Sequence, residues 1–349
     1  MRYLVIKMKI AIVGTGMFGF SLASHLGKKN LENKDILIMN YDQNQELVKH
    51  LQNCRTHLYH FGYMKLPQNI TFTCQKEILI RDADVVIFAV VSQAIRKIIQ
   101  EIKPYLKDGV IILNTAKALE IETAKTFYEV IKEEIKDLLI KYSIAKLSGG
   151  TFAEDMVDEV PLGVDIACEN PEVVKILQKL FHNRRLRTYG NTDILGVEYA
   201  GAFKNVIAIF AGIINGLKLP YGSETHMISR AAKEAQDIAV ALGANIKTFS
   251  MESQCWGNDL WMSCTGKSRN RQYGKMIGEG LSPTEAFEKM KENHKLVEGY
   301  YTVKVLKELS EKSKVQAPIL TEIYKIIYDG KNVKESIEFL MNREIENIN

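Results

Sequence analysis

Cysteine is scarce in this sequence: the 349 residues include five, an odd number, with no Cys-x-x-Cys spacing. The five are Cys54, Cys74, Cys168, Cys255 and Cys264. This usage excludes a disulfide scaffold and predicts reduced thiols in a cytoplasmic protein. The composition also lacks the biases of collagen-like and disordered chains, since 46% of the residues are hydrophobic and 25% are charged. It therefore indicates a globular protein.

An excess of charge of one sign is also missing. Lysine and arginine number 46 against 42 acidic residues, and the net charge of +4 is dispersed along the chain. The one basic run, His182–Arg187, is equally typical of an exposed edge strand. We therefore expect no nucleic-acid partner. No metal site is expected either.

Neither a cleavable leader nor a membrane span is predicted. Met1–Lys9 has no small-residue cleavage site and continues into a glycine-rich turn, so it is predicted as a first strand. Lys9–Val13 is enough for that strand if the chain starts at Met8. The long apolar run Ile194–Leu217 contains Glu198 and Lys204, and a central charge costs a membrane helix several kcal/mol. That run is predicted to be a buried helix.

The first half of the chain alternates short apolar strands with segments of helix length. Several strands show no polar alternation, which is typical of parallel strands covered on both faces. The predicted strands are Lys9–Val13, Ile36–Met39, Ile70–Thr73, Asp84–Val90, Val110–Asn114, Ser143–Leu147, Leu162–Ala167 and Leu186–Tyr189. The predicted helices include Met17–Gly27, Gln43–Gln52, Gln93–Ile102, Glu122–Leu138 and Pro171–Phe181. This alternation predicts βαβ units and a doubly wound α/β sheet.

The pattern changes near Gly190, after which helical periods recur and no strand is predicted. The predicted helices are Ile194–Leu217, Glu224–Leu242, Asn270–Gly278, Pro283–Lys291, Gly299–Ser310 and Ile319–Tyr328. A length of 349 residues fits two domains. We therefore expect an α/β domain over residues 1–190 and an all-α domain over residues 191–349.

A glycine-rich turn follows the first predicted strand. Gly14-Thr15-Gly16-Met17-Phe18-Gly19 has the spacing G-x-G-x-x-G between a strand and an amphipathic helix. Gly14 permits the tight turn, Gly16 lets the backbone approach a pyrophosphate, and Gly19 lets the helix pack closely. The N–H groups that begin the helix then face the phosphates. This motif predicts a Rossmann-type sheet that binds a dinucleotide.

The residues after the second strand bear on the choice of dinucleotide. Asp42 follows Gly19 by 23 residues, where an acid accepts hydrogen bonds from the adenosine ribose. Tyr41 is placed to stack near the adenine. No Arg or Lys occurs from Met39 to Glu46 to meet a ribose 2′-phosphate. NAD is therefore predicted, with NADP as the alternative.

Further segments carry residues suited to substrate chemistry. Lys117 follows the fifth strand and so lies at the carboxyl end of the sheet, where open α/β folds bind ligands. Ser148–Ala153 is a small-residue loop that is able to approach a cofactor. Lys204 lies in the apolar helix, where desolvation lowers the pKa of a lysine toward the working pH of a base. Taken alone, Lys117 is an ordinary loop lysine, and Lys204 is equally typical of a lysine whose stem lies along a surface helix.

A polar turn precedes a helix in the second half. Thr265-Gly266-Lys267 leads into Ser268, Arg269 and Asn270. Donors at a helix N-terminus are typical of an anion site, although an isolated Ser-Arg-Asn is also typical of a polar cap.

These segments, in this order and spacing, resemble the cytosolic NAD(P)-dependent glycerol-3-phosphate dehydrogenases. That family has T-K-G-L-E, S-G-P-T-F-A and V-K-N-V at the places of Asn114–Glu120, Ser148–Ala153 and Ala202–Val206. Its D-L, T-C and S-R-N-R block is matched by Asp259-Leu260, Ser263-Cys264 and Ser268–Arg271, and its V-V-E-G-Y by Leu296–Tyr300. The resemblance covers about residues 8–340.

The resemblance implies the interconversion of sn-glycerol 3-phosphate and dihydroxyacetone phosphate by hydride transfer to or from NAD. It makes Lys204 the general acid and base, oriented by Asp259, and Lys117 a second positive group at the C2 oxygen. The substrate residues that it implies are Lys117, Gly149, Thr151, Lys204, Asp259, Ser263, Ser268, Arg269 and Asn270, with the last three on the phosphate. The cofactor residues are Gly14, Gly16, Met17, Phe18, Gly19, Tyr41, Asp42, Lys117, Ala153, Arg269, Leu296 and Glu298. A homodimer is expected from the architecture.

The chain also departs from the family pattern, and two other functions fit parts of the sequence. Trp256-Gly257-Asn258 stands where the family has a smaller Gly-Leu-Gly or similar before Asp259. The alternatives are a related dehydrogenase of another small phosphorylated or carboxylated alcohol, and a catalytically silent NAD-binding protein. The anion turn favours a phosphorylated substrate. Lys117, Lys204 and Asp259 together favour an enzyme, because a sensor needs only the first domain.

Overall fold

The structure is a computed structural model, and it describes residues 8–343. The part of the predicted N-terminal strand that precedes Met8 lies outside these residues. The alternative start of the chain at Met8 therefore stays a prediction. The chain divides into two compact units. The first consists of the described residues up to Glu120 together with Lys125–Glu198, and the second of Ile121–Ala124 together with the described residues from Tyr199 onward.

The first unit is built on one eight-stranded sheet in the order β3-β2-β1-β4-β5-β6-β7-β8. Its strands are β1 (Met8–Val13), β2 (Ile36–Tyr41), β3 (Ile70–Thr73), β4 (Val85–Phe88), β5 (Val110–Asn114), β6 (Tyr142–Ser148), β7 (Leu162–Cys168) and β8 (Leu186–Asn191). All eight predicted strands are present. The central strands are apolar and fully buried, as expected for a sheet covered on both faces.

The expectation of parallel strands is wrong at one place. β7 runs antiparallel to β6, with Ala145 opposite Cys168, whereas every other neighbouring pair in the sheet is parallel. The connection between β6 and β7 contains only the five-residue helix Ala153–Val157. A parallel crossover is normally carried by a full helix on one face of the sheet, so the short connection returns the chain in the opposite direction.

Seven helices of the first unit connect these strands. They are α1 (Met17–Lys29), α2 (Gln45–Cys54), α3 (Lys76–Ile80), α4 (Ile95–Ile102), α5 (Phe127–Ile135), α6 (Ala153–Val157) and α7 (Pro171–Phe181). The predicted helix Glu122–Leu138 is too long at both ends. Thr126 caps α5, because its side chain accepts from the backbone of Glu129 while the Glu129 carboxylate accepts from the backbone of Thr126.

The second unit is helical. Its helices are α8 (Ile194–Gly216), α9 (Tyr221–Ala241), α10 (Asp259–Thr265), α11 (Arg269–Gly278), α12 (Pro283–Glu292), α13 (Glu298–Ser313), α14 (Pro318–Tyr328) and α15 (Val333–Met341). A single π-helical turn, Gln254–Asn258, leads directly into α10. The predicted capping box at Ser282 and Glu285 begins α12.

Helix α8 begins in the first unit and continues into the second. The division follows Glu198 and not residue 190, because the Glu198 carboxylate accepts from Asn114 Nδ2 at 2.8 Å and from the Phe127 backbone N–H at 3.0 Å. Among the described residues, α8 is the one helix long and apolar enough to cross a membrane by length and composition. Its whole apolar stretch is buried inside the protein, as in a core helix.

The sheet has two edge strands. β3 is four residues long and ends the sheet on one side. β8 ends it on the other side and exposes Arg187, Tyr189 and Gly190. Of the basic run His182–Arg187, only Leu186 and Arg187 lie in this edge strand, and His182–Arg185 form the turn that precedes it.

Candidate active site and dinucleotide-binding turn

The glycine-rich turn between β1 and α1 has the geometry that a dinucleotide requires. Gly14 has φ +103°, and a Cβ there would lie 2.7 Å from the Ala89 carbonyl oxygen. A Cβ on Gly19 would lie 2.1 Å from the Gly14 carbonyl oxygen, so the helix packs directly on the turn. At Gly16 a Cβ would meet nothing within 4 Å, and no side chain caps α1. The turn therefore leaves space for a phosphate before the first N–H groups of the helix.

Asp42 lies beside this turn. Its Oδ2 accepts from the Thr15 backbone N–H at 3.2 Å, and its Oδ1 accepts from the Asn44 N–H at 2.9 Å. The Thr15 hydroxyl lies 3.1 Å from both the Asn40 side-chain oxygen and the Tyr41 carbonyl oxygen. Asp42 is half-buried and follows β2 directly.

A lysine from a distant part of the chain lies near Tyr41, although the sequence around β2 contains no cation. Lys76 comes from α3, and its Nζ lies 5.6 Å from the centroid of the Tyr41 ring. The same ammonium forms an ion pair with Glu101. Tyr41 itself is buried at 8% exposure. The end of β2 therefore has a positive charge beside it, and a carboxylate neutralises that charge.

Lys117 and the loop after β6 meet at one carbonyl group. The Lys117 Nζ donates to the Gly149 oxygen at 2.5 Å. The Thr151 backbone N–H and hydroxyl lie 2.8 Å and 3.3 Å from the same oxygen. A Cβ on Gly149 would lie 2.6 Å from the Gly163 oxygen, so only glycine fits there. The structure thus brings together Lys117, Gly149 and Thr151.

A buried ion pair that was not predicted from the sequence holds the peptide next to Lys117. Lys146 on β6 and Glu198 are both fully buried, with Nζ and Oε1 3.3 Å apart. The Lys146 ammonium also donates to the Ala116 carbonyl oxygen, and Asn114 Oδ1 accepts from the Ala116 N–H at 2.9 Å. These contacts fix the peptide next to Lys117. A lysine in a strand gives no sequence signal for a partner 52 residues away.

In the second unit, Lys204 is buried with two of its predicted neighbours. Its Nζ donates to Asp259 Oδ1 at 2.9 Å and to Ser263 Oγ at 2.7 Å. Asp259 begins α10, and Ser263 follows four residues later on the same face. Asp259 and Ser263 are fully buried, and Lys204 is 5% exposed. The carboxylate stabilises the charged form of the lysine in a dry environment.

The N-terminus of α11 is held by side chains rather than left open. Ser268 caps the helix by accepting from the Arg271 N–H at 3.2 Å, and it donates to the Ser263 carbonyl oxygen at 2.7 Å. Asn270 donates to Asn205 Oδ1 at 2.9 Å and accepts from the Gly299 N–H at 3.0 Å. The Arg269 side chain is exposed. Asn205 and Gly299 are positioning residues that the predictions did not include, although Asn205 follows Lys204 directly.

The remaining predicted cofactor residues are spread over both units. Met17 and Phe18 are half-buried at the start of α1, and Ala153 is half-buried at the start of α6. Leu296 is 39% exposed before α13, and Glu298 is the first residue of that helix.

The segment that departs from the family pattern is part of the core. The Trp256 indole is 3% exposed and packs edge to face on Phe249, with ring centroids 5.0 Å apart. A Cβ on Gly257 would lie 2.2 Å from the Met251 carbonyl oxygen. The π-helical turn thus accommodates the bulky side chain in the core before Asp259.

The cysteines are free thiols, and one of them lies next to Ser263. Burial raises the pKa of the Cys264 thiol to about 12, so this neighbour of Ser263 stays protonated. All five cysteines are free thiols. Over residues 8–343, no group of three or more His, Cys, Asp or Glu side chains is arranged to hold a metal ion.

Comparison with known proteins identifies the family. Models of the NAD-dependent glycerol-3-phosphate dehydrogenase N-terminus and C-terminus match residues 9–174 and 193–338. A glycerol-3-phosphate dehydrogenase (NAD(P)+) from Fusobacterium nucleatum is 34% identical over 338 residues, which is 97% of each chain. The chain belongs to the NAD-dependent glycerol-3-phosphate dehydrogenase family. Another family member, from a Thermoanaerobacter species, is 34% identical and covers 97% of this chain and 98% of its own.

Solved structures of the family share both the sheet and the helical unit. The glycerol-3-phosphate dehydrogenase of Coxiella burnetii matches with a TM-score of 0.86 at 25% identity, over 97% of this chain and 100% of that one. The enzyme of Plasmodium falciparum matches with a TM-score of 0.89 at 21% identity, over 97% of each chain. A Rossmann-type sheet followed by a helical unit is therefore the family fold.

Proposed function

We propose that this chain interconverts sn-glycerol 3-phosphate and dihydroxyacetone phosphate, with NAD as the hydride carrier and Lys204 as the general acid and base. Membership of the family supports the reaction. The observation that carries the residue assignment is the buried cluster in which Asp259 and Ser263 hold the Lys204 ammonium at 2.9 Å and 2.7 Å.

The proton step follows from the charge of Lys204. In ketone reduction, the charged ammonium donates a proton to the C2 oxygen, and in alcohol oxidation the neutral amine accepts it. When bound, NAD supplies the complementary step, because it accepts or returns the hydride at C2. Asp259 favours the charged amine by direct Coulomb attraction, and Ser263 fixes the direction in which Nζ points.

Lys117 is proposed as a second positive group at the C2 oxygen. Its Nζ is anchored on the Gly149 carbonyl group, and the buried Lys146 and Glu198 fix the peptide next to it. A positioned cation stabilises the charge that develops on the oxygen during hydride transfer. Gly149 and Thr151 line the same substrate position.

The N-terminus of α11 is proposed to bind the phosphate of the substrate. Ser268 and Asn270 hold the turn through Ser263, Asn205 and Gly299, so the charged donor is Arg269 together with the first backbone N–H groups of the helix.

For the cofactor, we propose that Gly14, Gly16 and Gly19 receive the pyrophosphate and Asp42 the ribose diol. Met17, Phe18, Tyr41, Lys117, Ala153, Arg269, Leu296 and Glu298 complete this set. NAD is preferred to NADP, because Asp42 repels a 2′-phosphate and Glu101 neutralises the nearby Lys76.

The proposal also covers the organisation of the protein. The first unit, which extends to Glu198, serves as the dinucleotide-binding domain, and the helical unit from Tyr199 onward carries Lys204 and the phosphate site. The chain acts in the cytoplasm as a homodimer, without a metal ion or nucleic acid. Its five free thiols support a reducing compartment.

Oxidation of NADH by the purified protein tests the proposal. We expect rapid turnover with dihydroxyacetone phosphate and little with unphosphorylated dihydroxyacetone, since only the former offers a charge to Arg269. Faster turnover with a 2-oxo acid would indicate a related dehydrogenase instead. NADH binding without turnover of any of these compounds would indicate a catalytically silent protein.

A further inference from the structure

His57 is a buried imidazole that no role above uses. It lies between α2 and β3 and is 4% exposed. Its Nε2 lies 2.7 Å from the carbonyl oxygen of Thr15, in the glycine-rich turn. Its Nδ1 lies 3.1 Å from the Tyr59 backbone nitrogen and 3.2 Å from that of His60. One ring therefore connects this segment to the turn.

The hydrogen-bond partners define the tautomer of His57. Two backbone N–H groups point at Nδ1, which must therefore accept. The ring proton is then on Nε2, which donates to the Thr15 carbonyl oxygen. The arrangement requires a neutral ring, because a proton on Nδ1 would face two other donors.

The carbonyl group that His57 holds belongs to the peptide between Thr15 and Gly16. In a planar trans peptide the C=O and N–H groups point in opposite directions. Fixing the carbonyl toward His57 therefore directs the Gly16 N–H to the other side. Gly16 is exposed, and the space at its Cα is open.

We propose that His57 is a positioning residue for the dinucleotide, because it orients the Thr15–Gly16 peptide so that the Gly16 N–H donates to the pyrophosphate. The inference rests on the proposed dinucleotide site. Asp42 holds the Thr15 N–H, and Asn40 and Tyr41 hold its hydroxyl group. His57 fixes the orientation of the Thr15 carbonyl group through its hydrogen bond.

The surroundings of His57 give this role a pH dependence. Burial lowers the pKa of His57, and the bond to Thr15 opposes that effect. Two other imidazoles, His60 and His50, also lower this pKa, whereas Asp42 raises it. Protonation breaks the contacts at Nδ1 and loosens the segment that holds the turn. The affinity for NADH therefore falls as the pH drops below the ordinary histidine range of about 6.5.

The test is a fluorescence titration of NADH, without substrate, against the wild type, His57→Ala, His57→Gln and His60→Ala between about pH 5 and 8. His57→Ala removes the donor, whereas glutamine keeps an N–H that reaches the Thr15 carbonyl and does not titrate. His60→Ala is the matched control, since His60 is exposed and its ring lies 4.9 Å from that of His57.

At neutral pH we expect His57→Ala to raise the Kd for NADH roughly three- to tenfold, as for loss of one neutral hydrogen bond. Its kcat at saturating NADH should stay within about twofold of the wild type, since His57 does not act on the substrate. His57→Gln should bind NADH like the wild type at neutral pH but lack the loss of affinity at acid pH. His60→Ala should bind NADH like the wild type at neutral pH, and its acid-side loss should begin at a slightly higher pH, because His60 lowers the pKa of His57.

Each other outcome contradicts the inference. An unchanged Kd in His57→Ala would show that the carbonyl contact does not matter. Equal weakening of NADH binding in both His57 variants would assign the effect to packing of the ring. A loss of NADH affinity at acid pH that His57→Gln retains would assign the pH dependence to another group. If His57→Ala does not fold, the pH profile of His57→Gln decides. A wild type that binds no NADH would overturn the proposed function itself, and this inference with it.

Discussion

Replacing Lys204 by methionine tests the proposed chemistry most directly, because methionine fills similar space but cannot transfer a proton. Loss of a general acid and base usually lowers a rate by about 10²–10⁴-fold. We expect a fall of this size in kcat for dihydroxyacetone phosphate reduction. The Kd for NADH should change by less than about twofold, since Lys204 is not among the residues proposed to bind the dinucleotide.

The same change has a cost in stability that the structure predicts. Asp259 is fully buried, and its Oδ1 lies 2.9 Å from the Lys204 Nζ. Removing one partner of a buried ion pair costs about 3–5 kcal/mol in the free energy of unfolding. A second substitution, Asp259→Asn, removes the buried carboxylate charge. The double variant should regain much of the stability and none of the activity.

Lys204→Arg is the matched control for charge. It keeps a cation near Asp259 but does not release its proton near neutral pH, so it should be folded and inactive. The measurements are steady-state kcat, NADH titration and chemical unfolding of each variant. If Lys204→Met keeps more than about a tenth of the wild-type kcat, another group transfers the proton, and Lys117 is the next candidate.

The other predictions concern the phosphate, the cofactor and a buried acid. Arg269→Ala should raise the KM for dihydroxyacetone phosphate roughly 10- to 150-fold, which corresponds to loss of a charged hydrogen bond of about 1.5–3 kcal/mol. An unchanged KM in steady-state assays would contradict the phosphate site. The wild type should bind NADH more tightly than NADPH. Glu101→Gln removes the carboxylate that neutralises Lys76, so it should shift the ratio of the two Kd values toward NADPH by about two- to fivefold. An unchanged ratio would show that Lys76 does not act on the 2′-phosphate. Burial raises the pKa of Glu234 from 4.5 to about 7, so between these values the folded chain holds a proton that the unfolded chain has released. The free energy of unfolding should therefore fall as the pH rises through this window, by at most about 1.4 kcal/mol per pH unit, and Glu234→Gln should flatten the slope in unfolding curves.

The strands were predictable because they are short apolar runs between turns. The helices that were missed are short: α3 and α6 have five residues each, α10 has seven and α15 has nine, too few for a clear helical period. The antiparallel direction of β7 depends on the path of a connection, which local sequence does not encode. The prediction for α5 was too long at its start because Thr126 and Glu129 form a capping box, so the helix begins only at Phe127.

For the candidate site, sequence motifs predicted the charged groups, but they did not predict the neighbouring residues that position those groups. Lys204 stood out because it interrupts an apolar helix. His57 and Lys76 each lie far along the chain from the residues that they contact. Such pairings arise from the folded sheet, so one sequence contains no local signal for them. Asn270 was predicted as a phosphate ligand, but the structure shows its side chain bridging Asn205 and Gly299.

The two sheet edges bear on how the protein avoids aggregation. An open edge is a template for a strand from another molecule, and short or charged edge strands oppose such addition. β3 offers four residues, and β8 exposes the charged Arg187. The sheet is thus poorly suited to continue from one copy into the next. The proposed homodimer should therefore form without pairing of these edges, and the short and charged edge strands oppose strand addition between molecules during folding.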